Sequence, residues 1–160
     1  MNLRRDIMKN VWYLLIFLLL LVFGAKGVLF LKFMALKGNA KKGDPIAQLN
    51  LAEIYKESKN DKRAVAWYEK SAASNNITAI VELANIYDSG LCGETENPRK
   101  AFQMYKKAAE QGNNGAQSKL AEMYLDGRGV TKNIEMAKYW HKKSSEEFLH
   151  NVMKNIGNTE

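Results

Sequence analysis

The amino-acid sequence predicts an all-α protein: a short right-handed α-solenoid of helical hairpins that follows an N-terminal transmembrane helix. Three observations lead to this prediction. One pattern of small and aromatic residues recurs three times at helical spacing. Glycine, asparagine and aspartate separate the recurring segments at equivalent positions. A long apolar stretch near the N-terminus lies outside the recurring pattern.

The net charge of the chain is concentrated in its N-terminal segment. The 160 residues are enough for one domain of ordinary size and carry a formal net charge of +7. Residues 1–42 contain eight Lys or Arg and one Asp, whereas residues 43–160 contain sixteen of each sign. The larger C-terminal part is therefore neutral. Because nucleic-acid binding depends on clustered positive charge, we expect no nucleic-acid partner.

The apolar stretch has the length of a membrane span. A basic tail, 1–10, precedes fifteen uncharged residues, 11–25, and the apolar character continues after Lys26 to Leu31. A bilayer core of about 30 Å needs about 20 helical residues, so 11–31 fits if the Lys26 ammonium reaches the headgroups. We therefore predict a signal-anchor helix over 11–31 and a cytoplasmic tail over 1–10.

Cleavage and orientation of this segment remain open. Spaced small residues, Val22 with Gly24 and Ala25 with Gly27, are compatible with a cleaved signal peptide. Cleavage there would leave the apolar residues 28–31 at the mature N-terminus, which favours the uncleaved anchor. Positive charges flank the segment on both sides, so the positive-inside rule does not decide the orientation. Because the N-terminal tail is so short, we expect it to stay in the cytoplasm and the larger domain to be exported.

The pattern Ala-x-x-x-Leu-Ala-x-x-Tyr marks the first helix of each predicted hairpin. Its spacing places the four residues on one helical stripe, where the alanines permit close packing and the tyrosine fills the space beside them. The three occurrences are Ala47, Leu51, Ala52 and Tyr55; Ala79, Leu83, Ala84 and Tyr87; and Ala116, Leu120, Ala121 and Tyr124.

A second helix follows in each hairpin, with a small residue and then larger side chains three and four positions later. These residues are Ala64, Trp67 and Tyr68; Ala101, Met104 and Tyr105; and Ala137, Trp140 and His141. The i, i+3 and i+4 spacing again predicts one buried face on each helix.

Residues that end and begin helices also recur at fixed positions. Three of them tolerate the left-handed conformation that follows a helix, and they are Gly43, Asn75 and Gly112. The next residue in each case has a side chain that can cap the first helix of a hairpin, and these are Asp44, Asn76 and Asn113. The equivalent caps of the second helices are Asn60, Asn97 and Asn133.

The third repeat resembles the Sel1-like repeat, a relative of the tetratricopeptide repeat. The residues that carry the resemblance are Tyr124, Gly127, Gly129, Val130, Ala137 and Trp140. The second repeat is similar through Gly90 and Gly93 but has one extra residue and lacks the Gly-x-Gly-Val form. The first repeat has a shorter corner and resembles the tetratricopeptide repeat more closely.

The repeats set the predicted domain boundaries. We predict a linker or continuing helix over 32–42, a tetratricopeptide-like repeat over 43–75, Sel1-like repeats over 76–112 and 113–145, and a C-terminal capping helix and tail over 146–160. Three stacked repeats are about the minimum for a stable array, and terminal repeats need caps. The apolar residues expected to cap the C-terminal end are Phe148, Leu149, Val152, Met153 and Ile156.

No group of residues has the pattern of a catalytic, cofactor-binding or metal site, so we expect no enzymatic activity, no cofactor and no small-molecule substrate. His141 and His150 are nine residues apart, on different faces of one helix. We expect His141 to be packed, because it occupies an aromatic position of the pattern. Gly127 and Gly129 follow a helix, whereas phosphate-binding glycines follow a strand. Cys92 is the only cysteine and has acidic neighbours, which disfavour a reactive thiolate.

The resemblance to tetratricopeptide-like arrays implies that the first helices of successive repeats line a concave face. A protein or peptide is the expected partner of such a face. Positions two, six and nine after each leading alanine would lie on it, namely Leu49, Glu53 and Lys56; Val81, Asn85 and Asp88; and Ser118, Glu122 and Leu125. The face is a mixture of apolar and acidic groups. The alternative is that these are ordinary solvated positions.

The resemblance also implies a class of function. Proteins similar to Sel1-like repeats commonly act as non-enzymatic adaptors in envelope, signalling or secretion systems, which suggests a membrane-tethered scaffold. The alternative is an immunity protein that neutralises a secreted bacterial toxin or effector by direct binding. The expected location is the bacterial inner membrane, with a single span and a periplasmic repeat domain, or the periplasm if the anchor is cleaved.

Overall fold

The structure, a computed structural model, describes the backbone of residues 3–157 and the side chains of residues 11–17, 24 and 27–146. Over these residues the chain is entirely helical apart from its turns, which confirms the predicted all-α class. The helices are α1 (Leu3–Lys41), α2 (Pro45–Glu57), α3 (Asp61–Ala73), α4 (Ile77–Ser89), α5 (Pro98–Glu110), α6 (Asn114–Asp126) and α7 (Ile134–Gly157).

The helices form an α-solenoid. Helices α2 and α3, α4 and α5, and α6 and α7 pair as three hairpins, and the second helix of one hairpin packs against the first helix of the next. Each helix therefore touches mainly its neighbours along the chain, as expected for a repeat protein.

The core is built from the predicted stripe of small and aromatic residues. All four pattern residues are buried in α2 and in α4. In α6 the two alanines and the leucine are buried, and Tyr124 is half-buried. Among the largest fully buried side chains are Tyr68, Tyr105, Leu51 and Leu83. Full burial of a leucine side chain contributes about 1.5–3 kcal/mol. The alanines between these residues leave room for the helices to approach closely.

The predicted caps of the first helices are confirmed. Asp44 Oδ1 accepts hydrogen bonds from the Ile46 and Ala47 amides at 2.9 and 3.2 Å. Asn76 and Asn113 each accept one from the amide three residues later, at 3.1 and 2.8 Å.

The caps of the second helices are confirmed at two of the three positions. Asn97 Oδ1 accepts a hydrogen bond from the Lys100 amide at 3.1 Å, and Asn133 Oδ1 accepts one from the Met136 amide at 3.0 Å. Asn60 makes no such side-chain bond. Its backbone serves the corner instead, because its amide donates to the Tyr55 carbonyl at 2.8 Å.

Left-handed residues end the preceding helices where the sequence predicts them. The φ angles of Gly43, Asn75 and Gly112 are 97°, 60° and 85°. In each case the next amide bonds back to a carbonyl five residues earlier in the helix, Asn39, Ser71 or Ala108. This closes the helix and turns the chain into the next first helix.

Gly129 brings two hairpins together. Its φ is +72°, and a Cβ at this position would lie 2.2 Å from the carbonyl oxygen of Pro98. The corner between α6 and α7 therefore rests directly on the first turn of α5. The requirement for glycine comes from this close approach as well as from the turn.

Helix α1 is kinked and ends against the first hairpin. Gly24 has non-helical φ and ψ angles of 47° and −137°, so the helix consists of two segments. The segment 32–42, predicted as a linker or a continuing helix, belongs to α1 up to Lys41. Ala40 is buried against α2, and its carbonyl accepts a hydrogen bond from Gln48 Nε2 at 3.1 Å.

The predicted membrane span falls partly outside the described residues. Searched over the residues that the structure describes, none of the helices is long and apolar enough to cross a bilayer. The predicted range 11–31 includes residues 18–23, 25 and 26, whose side chains lie outside the description. The described apolar residues before Gly24, such as Trp12 and Phe17, are exposed.

Helix α7 is longer than the second helices of the other hairpins. It continues without a break from Ile134 to Gly157, so the segment 146–157 extends the third hairpin as one helix. The side chains predicted to cap the C-terminal end lie outside the described residues.

Candidate functional site

The nine residues predicted to face a partner lie on α2, α4 and α6, and none of them is buried. We call the surface that they form the first-helix face. Five are half-buried, namely Leu49, Val81, Asn85, Asp88 and Ser118, and four are exposed, namely Glu53, Lys56, Glu122 and Leu125. Outward placement follows from the helical period, because positions two, six and nine avoid the stripe that begins at the leading alanine.

An ion pair joins the first and second hairpins across this face. Lys56 Nζ on α2 donates to Glu82 Oε2 on α4 at 2.9 Å. This hydrogen bond raises the pKa of the Lys56 ammonium. An exposed pair of this kind contributes at most about 1 kcal/mol to stability.

An arginine in the third corner joins the second and third hairpins. Arg128 Nε donates to Asp88 Oδ1 at 2.8 Å, and its guanidinium also contacts the Asp88 carbonyl and the Glu96 carboxylate. Sequence reasoning placed Asp88 on the face but missed this partner. The available signal was a charged residue between the two glycines of the corner, Gly127 and Gly129.

Two of the nine residues bond within their own hairpin. Asn85 Oδ1 accepts a hydrogen bond from the buried Tyr105 hydroxyl at 2.6 Å. Ser118 Oγ lies 3.2 Å from Ser144 Oγ on α7. These side chains help to close their hairpins, so they are less available to a partner than sequence reasoning implied.

The remaining positions offer mixed chemistry to a partner. Leu125 is 49% exposed, Glu53 is exposed, and Glu122 is paired with Lys119 at 2.7 Å. Apolar groups, a carboxylate and paired charges along neighbouring helices suit a peptide or a helix more than a small molecule.

The prediction that His141 is packed is wrong. His141 is exposed, whereas Trp140 beside it is only 5% exposed. The equivalent residues of the earlier hairpins, Tyr68 and Tyr105, are buried. The first and second hairpins are each followed by another hairpin along the solenoid, which we call the row of hairpins. No first helix follows α7 in the described part of the chain.

Cys92 has a different environment from the one expected. It is half-buried in the corner between α4 and α5. Burial raises the pKa of its thiol, and the Asp61 carboxylate raises it further. The acidic neighbour is thus Asp61 rather than the nearby glutamates in the sequence. The raised pKa disfavours a reactive thiolate, as the sequence analysis predicted.

Metal ligands do not cluster in the described part of the molecule. Over those residues no group of three or more His, Cys, Asp or Glu side chains is placed to hold a metal ion. The corner near Gly127 and Gly129 does enclose an open space, but it is lined mainly by backbone and by Arg99, Val130 and Thr131.

Comparison with known protein families gives one match. The Sel1 repeat family matches three segments of this chain, residues 45–76, 77–113 and 115–147. Sel1 repeat proteins are in general non-enzymatic scaffolds for protein–protein interaction. No curated protein sequence matches significantly.

The solved structures of similar fold include proteins from bacteria. A Sel1 repeat protein from Oxalobacter formigenes is 29% identical, with a TM-score of 0.68 over 79% of this chain and 98% of that one. Protein c5321, a protective antigen present in uropathogenic Escherichia coli strains and displaying an SLR fold, is 28% identical, with a TM-score of 0.69 over 72% of this chain and 25% of that one.

The third similar structure is Helicobacter pylori cysteine rich protein B, at 21% identity and a TM-score of 0.60 over 78% of this chain and 92% of that one. At this identity the likeness concerns the fold alone. The three matched segments together cover more than half of the sequence, and they coincide with the three hairpins. The chain therefore belongs to the Sel1 repeat family.

Proposed function

We propose that this protein is a membrane-tethered scaffold that binds a partner protein or peptide on its first-helix face. The observation that carries the proposal is the pair of ionic links between hairpins, Lys56 with Glu82 and Asp88 with Arg128. They connect α2 to α4 and α4 to the corner after α6, so that the three first helices offer a partner one continuous surface. The scaffold role of Sel1 repeat proteins in general supports the same conclusion.

The apolar and acidic groups of the face define what it would bind. A partner helix or extended peptide would contact Leu49, Val81 and Leu125 and would place basic groups near Glu53 and Glu122. Reversal of one charge on α2 and one on α6 tests this directly. Reversal of charge at both ends of the row, in Glu53→Lys with Glu122→Lys, should abolish recovery of a specific partner from membrane extracts.

A matched control changes the same amount of charge elsewhere. Glu110 on α5 and Glu146 on α7 are exposed carboxylates outside the first-helix face. The double variant Glu110→Lys with Glu146→Lys should retain the partner. Recovery that is unchanged in the first variant, or lost equally in both, would remove the assignment of the face.

The tether is the finer part of the proposal. Its support is the basic tail followed by an apolar stretch, together with exposed apolar side chains on α1 before Gly24. We propose a single span in a bacterial inner membrane, with the repeats in the periplasm. C-terminal fusions to one reporter that is active only in the periplasm and to another that is active only in the cytoplasm test the orientation. Activity of the cytoplasmic reporter alone would refute the periplasmic assignment.

A further inference from the structure

The end of α1 takes the place of the second helix of a hairpin. Gln48 Nε2 donates to the carbonyl of Ala40 in the last turns of α1, at 3.1 Å. Gln117, the equivalent residue of the third hairpin, donates to the carbonyl of Ala109 in α5, at 3.3 Å. Both helices also end at a left-handed glycine, Gly43 or Gly112. Helix α1 therefore meets α2 as a second helix meets the next first helix elsewhere in the row.

Among the described helices no first helix pairs with α1 in this way, and a groove lies beside α1 and α2. We call it the α1–α2 groove. It has a volume of about 590 Å³. The residues that line it are Leu29, Phe30, Lys32, Phe33, Leu36, Ile54 and Glu57. Its walls are mainly apolar. Leu29 and Phe30 belong to the end of the proposed span 11–31. The part of the groove that is open to a partner protein is therefore lined by Lys32, Phe33, Leu36, Ile54 and Glu57.

Equivalent positions of the later hairpins show what normally covers such a surface. Ile54 is 37% exposed, whereas its equivalents Ile86 and Met123 are 1% and 2% exposed. Leu36 on α1 is half-buried, whereas its equivalents Tyr68 and Tyr105 are fully buried. Ile86 and Met123 each have a complete hairpin before them in the row. Ile54 has only the single helix α1.

The occupant that fits is a first helix supplied by another protein. Each joint between hairpins in this chain brings a second helix against a first helix. The described helices of the row begin with a second-type helix, α1, and end with another, α7. Two copies stacked end to end would therefore bring two second-type helices together and leave the groove open.

We propose that the α1–α2 groove binds an amphipathic helix of a partner protein, in the position that a preceding first helix would occupy. This goes beyond the proposed function, because the site lies at the start of the row and is separate from the nine residues of the first-helix face. The helix should be about four turns long, since each first helix here has 13 residues. Its buried stripe should combine small residues with a leucine and an aromatic residue, as in Ala-x-x-x-Leu-Ala-x-x-Tyr.

The test uses the full chain and a peptide of this chemistry. The probe is a labelled peptide of residues 45–57, the sequence of α2, because α2 is a first helix with the required apolar stripe. A staple across solvent-facing positions holds the peptide in a helix. Fluorescence anisotropy should show saturable binding. A peptide with Leu51→Asp and Ala52→Asp, which removes the apolar stripe, should not bind.

Two variants of the chain locate the site. Ile54→Lys places a charge in the groove and should weaken peptide binding at least tenfold. Ile134→Lys makes the same change at a 51% exposed position on α7 and should leave binding unchanged. Circular dichroism should show equal helix content in both. Phe33→Lys, at a lining position that follows the proposed span, repeats the test if Ile54→Lys alters the fold.

Two other occupants have distinct outcomes. If the peptide does not bind and Ile54→Lys instead lowers binding to vesicles of phosphatidylethanolamine and phosphatidylglycerol, lipid covers the groove and the proposal is overturned. If the peptide does not bind and Ile54→Lys converts a dimer to a monomer in sedimentation, a second copy covers it and the proposal is again overturned. Equal peptide binding by Ile54→Lys and the unmodified chain would also refute it.

Discussion

At several positions of this protein, the presence or absence of one side-chain atom determines which residue the structure can accept. Gly129 is the clearest example. Its missing side chain allows the third corner to touch the Pro98 carbonyl, and its positive φ is one that other residues adopt only with strain. Gly93, in the second corner, has nearly the same φ of +73° but no atom within 4 Å of the Cβ position. The two glycines thus separate the cost of backbone strain from the cost of a steric clash.

We therefore predict that Gly129→Ala destabilises the protein far more than Gly93→Ala does. The Gly93 variant should lose about 1 kcal/mol of unfolding free energy from its left-handed backbone. The Gly129 variant should lose about 3 kcal/mol, because the new methyl group also pushes the corner away from α5. Urea unfolding followed by circular dichroism measures both. Equal losses would show that Gly129 serves only the turn.

Two buried tyrosines at equivalent positions differ by one hydrogen bond. The Tyr105 hydroxyl donates to Asn85 at 2.6 Å. The Tyr68 hydroxyl is buried and has no hydrogen-bond partner among the described residues. The residue equivalent to Asn85 in the first hairpin is Glu53, whose side chain is exposed.

The same substitution should therefore have opposite outcomes at the two sites. Tyr105→Phe should cost about 1 kcal/mol of unfolding free energy and leave Asn85 without its donor. Tyr68→Phe should be neutral or slightly stabilising, since it removes a buried hydroxyl that forms no bond. Chemical denaturation of the two variants tests the difference. A loss at Tyr68 as large as that at Tyr105 would reveal a hydrogen-bond partner for its hydroxyl.

At the scale of the helix, the caps explain where each element begins. Asn76 and Asn60 hold equivalent sequence positions before α4 and α3, yet only Asn76 bonds to the first turn of its helix. Asn60 is the last residue of the corner 58–60, and its φ and ψ of −96° and 67° lie outside the extended region that the caps of the first helices adopt. The corner before α4, 74–76, is also three residues long, so the two asparagines differ in backbone conformation and not in the length of the corner.

We predict that Asn76→Ala lowers the unfolding free energy by about 1 kcal/mol, the usual value of an N-cap. Asn60→Ala should change it by no more than a few tenths of a kcal/mol, because only its backbone is used. Thermal unfolding of both variants provides the comparison. Similar shifts of the midpoint would contradict the assignment of different roles to the two asparagines.

At the scale of the whole molecule, burial of the tyrosines couples stability to pH. Burial raises the pKa of both Tyr68 and Tyr105 above the usual value of about 10. The folded protein therefore keeps both hydroxyl protons at pH values where the unfolded chain releases them. Below about pH 10 both hydroxyls are neutral in the folded and the unfolded chain, whereas above it the unfolded chain ionises first and the folded state loses stability.

We accordingly expect the unfolding free energy to fall steeply above about pH 10. The double variant Tyr68→Phe with Tyr105→Phe should show a shallower fall, because it lacks both titrating groups. Tyr139 is 53% exposed, so Tyr139→Phe should leave the slope unchanged. Urea unfolding at a series of pH values from about 7 to 11 measures all three slopes. Equal slopes in the two phenylalanine variants would contradict this account.

Both ends of the described row of hairpins lack a neighbouring hairpin, and this shapes the surface. Ile54 at the start and His141 at the end are exposed, whereas their equivalents inside the row are buried. The exposed start is apolar and forms the α1–α2 groove, while the exposed end carries a histidine. The two ends of the described array therefore present different chemistry to their surroundings.

The sequence alone determined the repeated elements. Helix starts, helix ends and the buried stripe depend on residues within about one turn of each other, so the recurrence of Ala-x-x-x-Leu-Ala-x-x-Tyr and of the caps was enough to predict them. The outward positions of the nine face residues followed from the same helical period. The missing side-chain cap at Asn60 was not predicted, because its sequence position is the same as that of the asparagines that do cap their helices.

Only the tertiary structure decided how the hairpins meet. The pairing of Arg128 with Asp88 joins residues 40 positions apart, and the contact of Gly129 with Pro98 depends on how closely two hairpins stack. Contacts between hairpins also determine that Ile86 is buried and that Ile54 and His141 are exposed. Helical spacing shows which face of a helix is apolar, but the presence or absence of a neighbouring hairpin determines whether that face is covered.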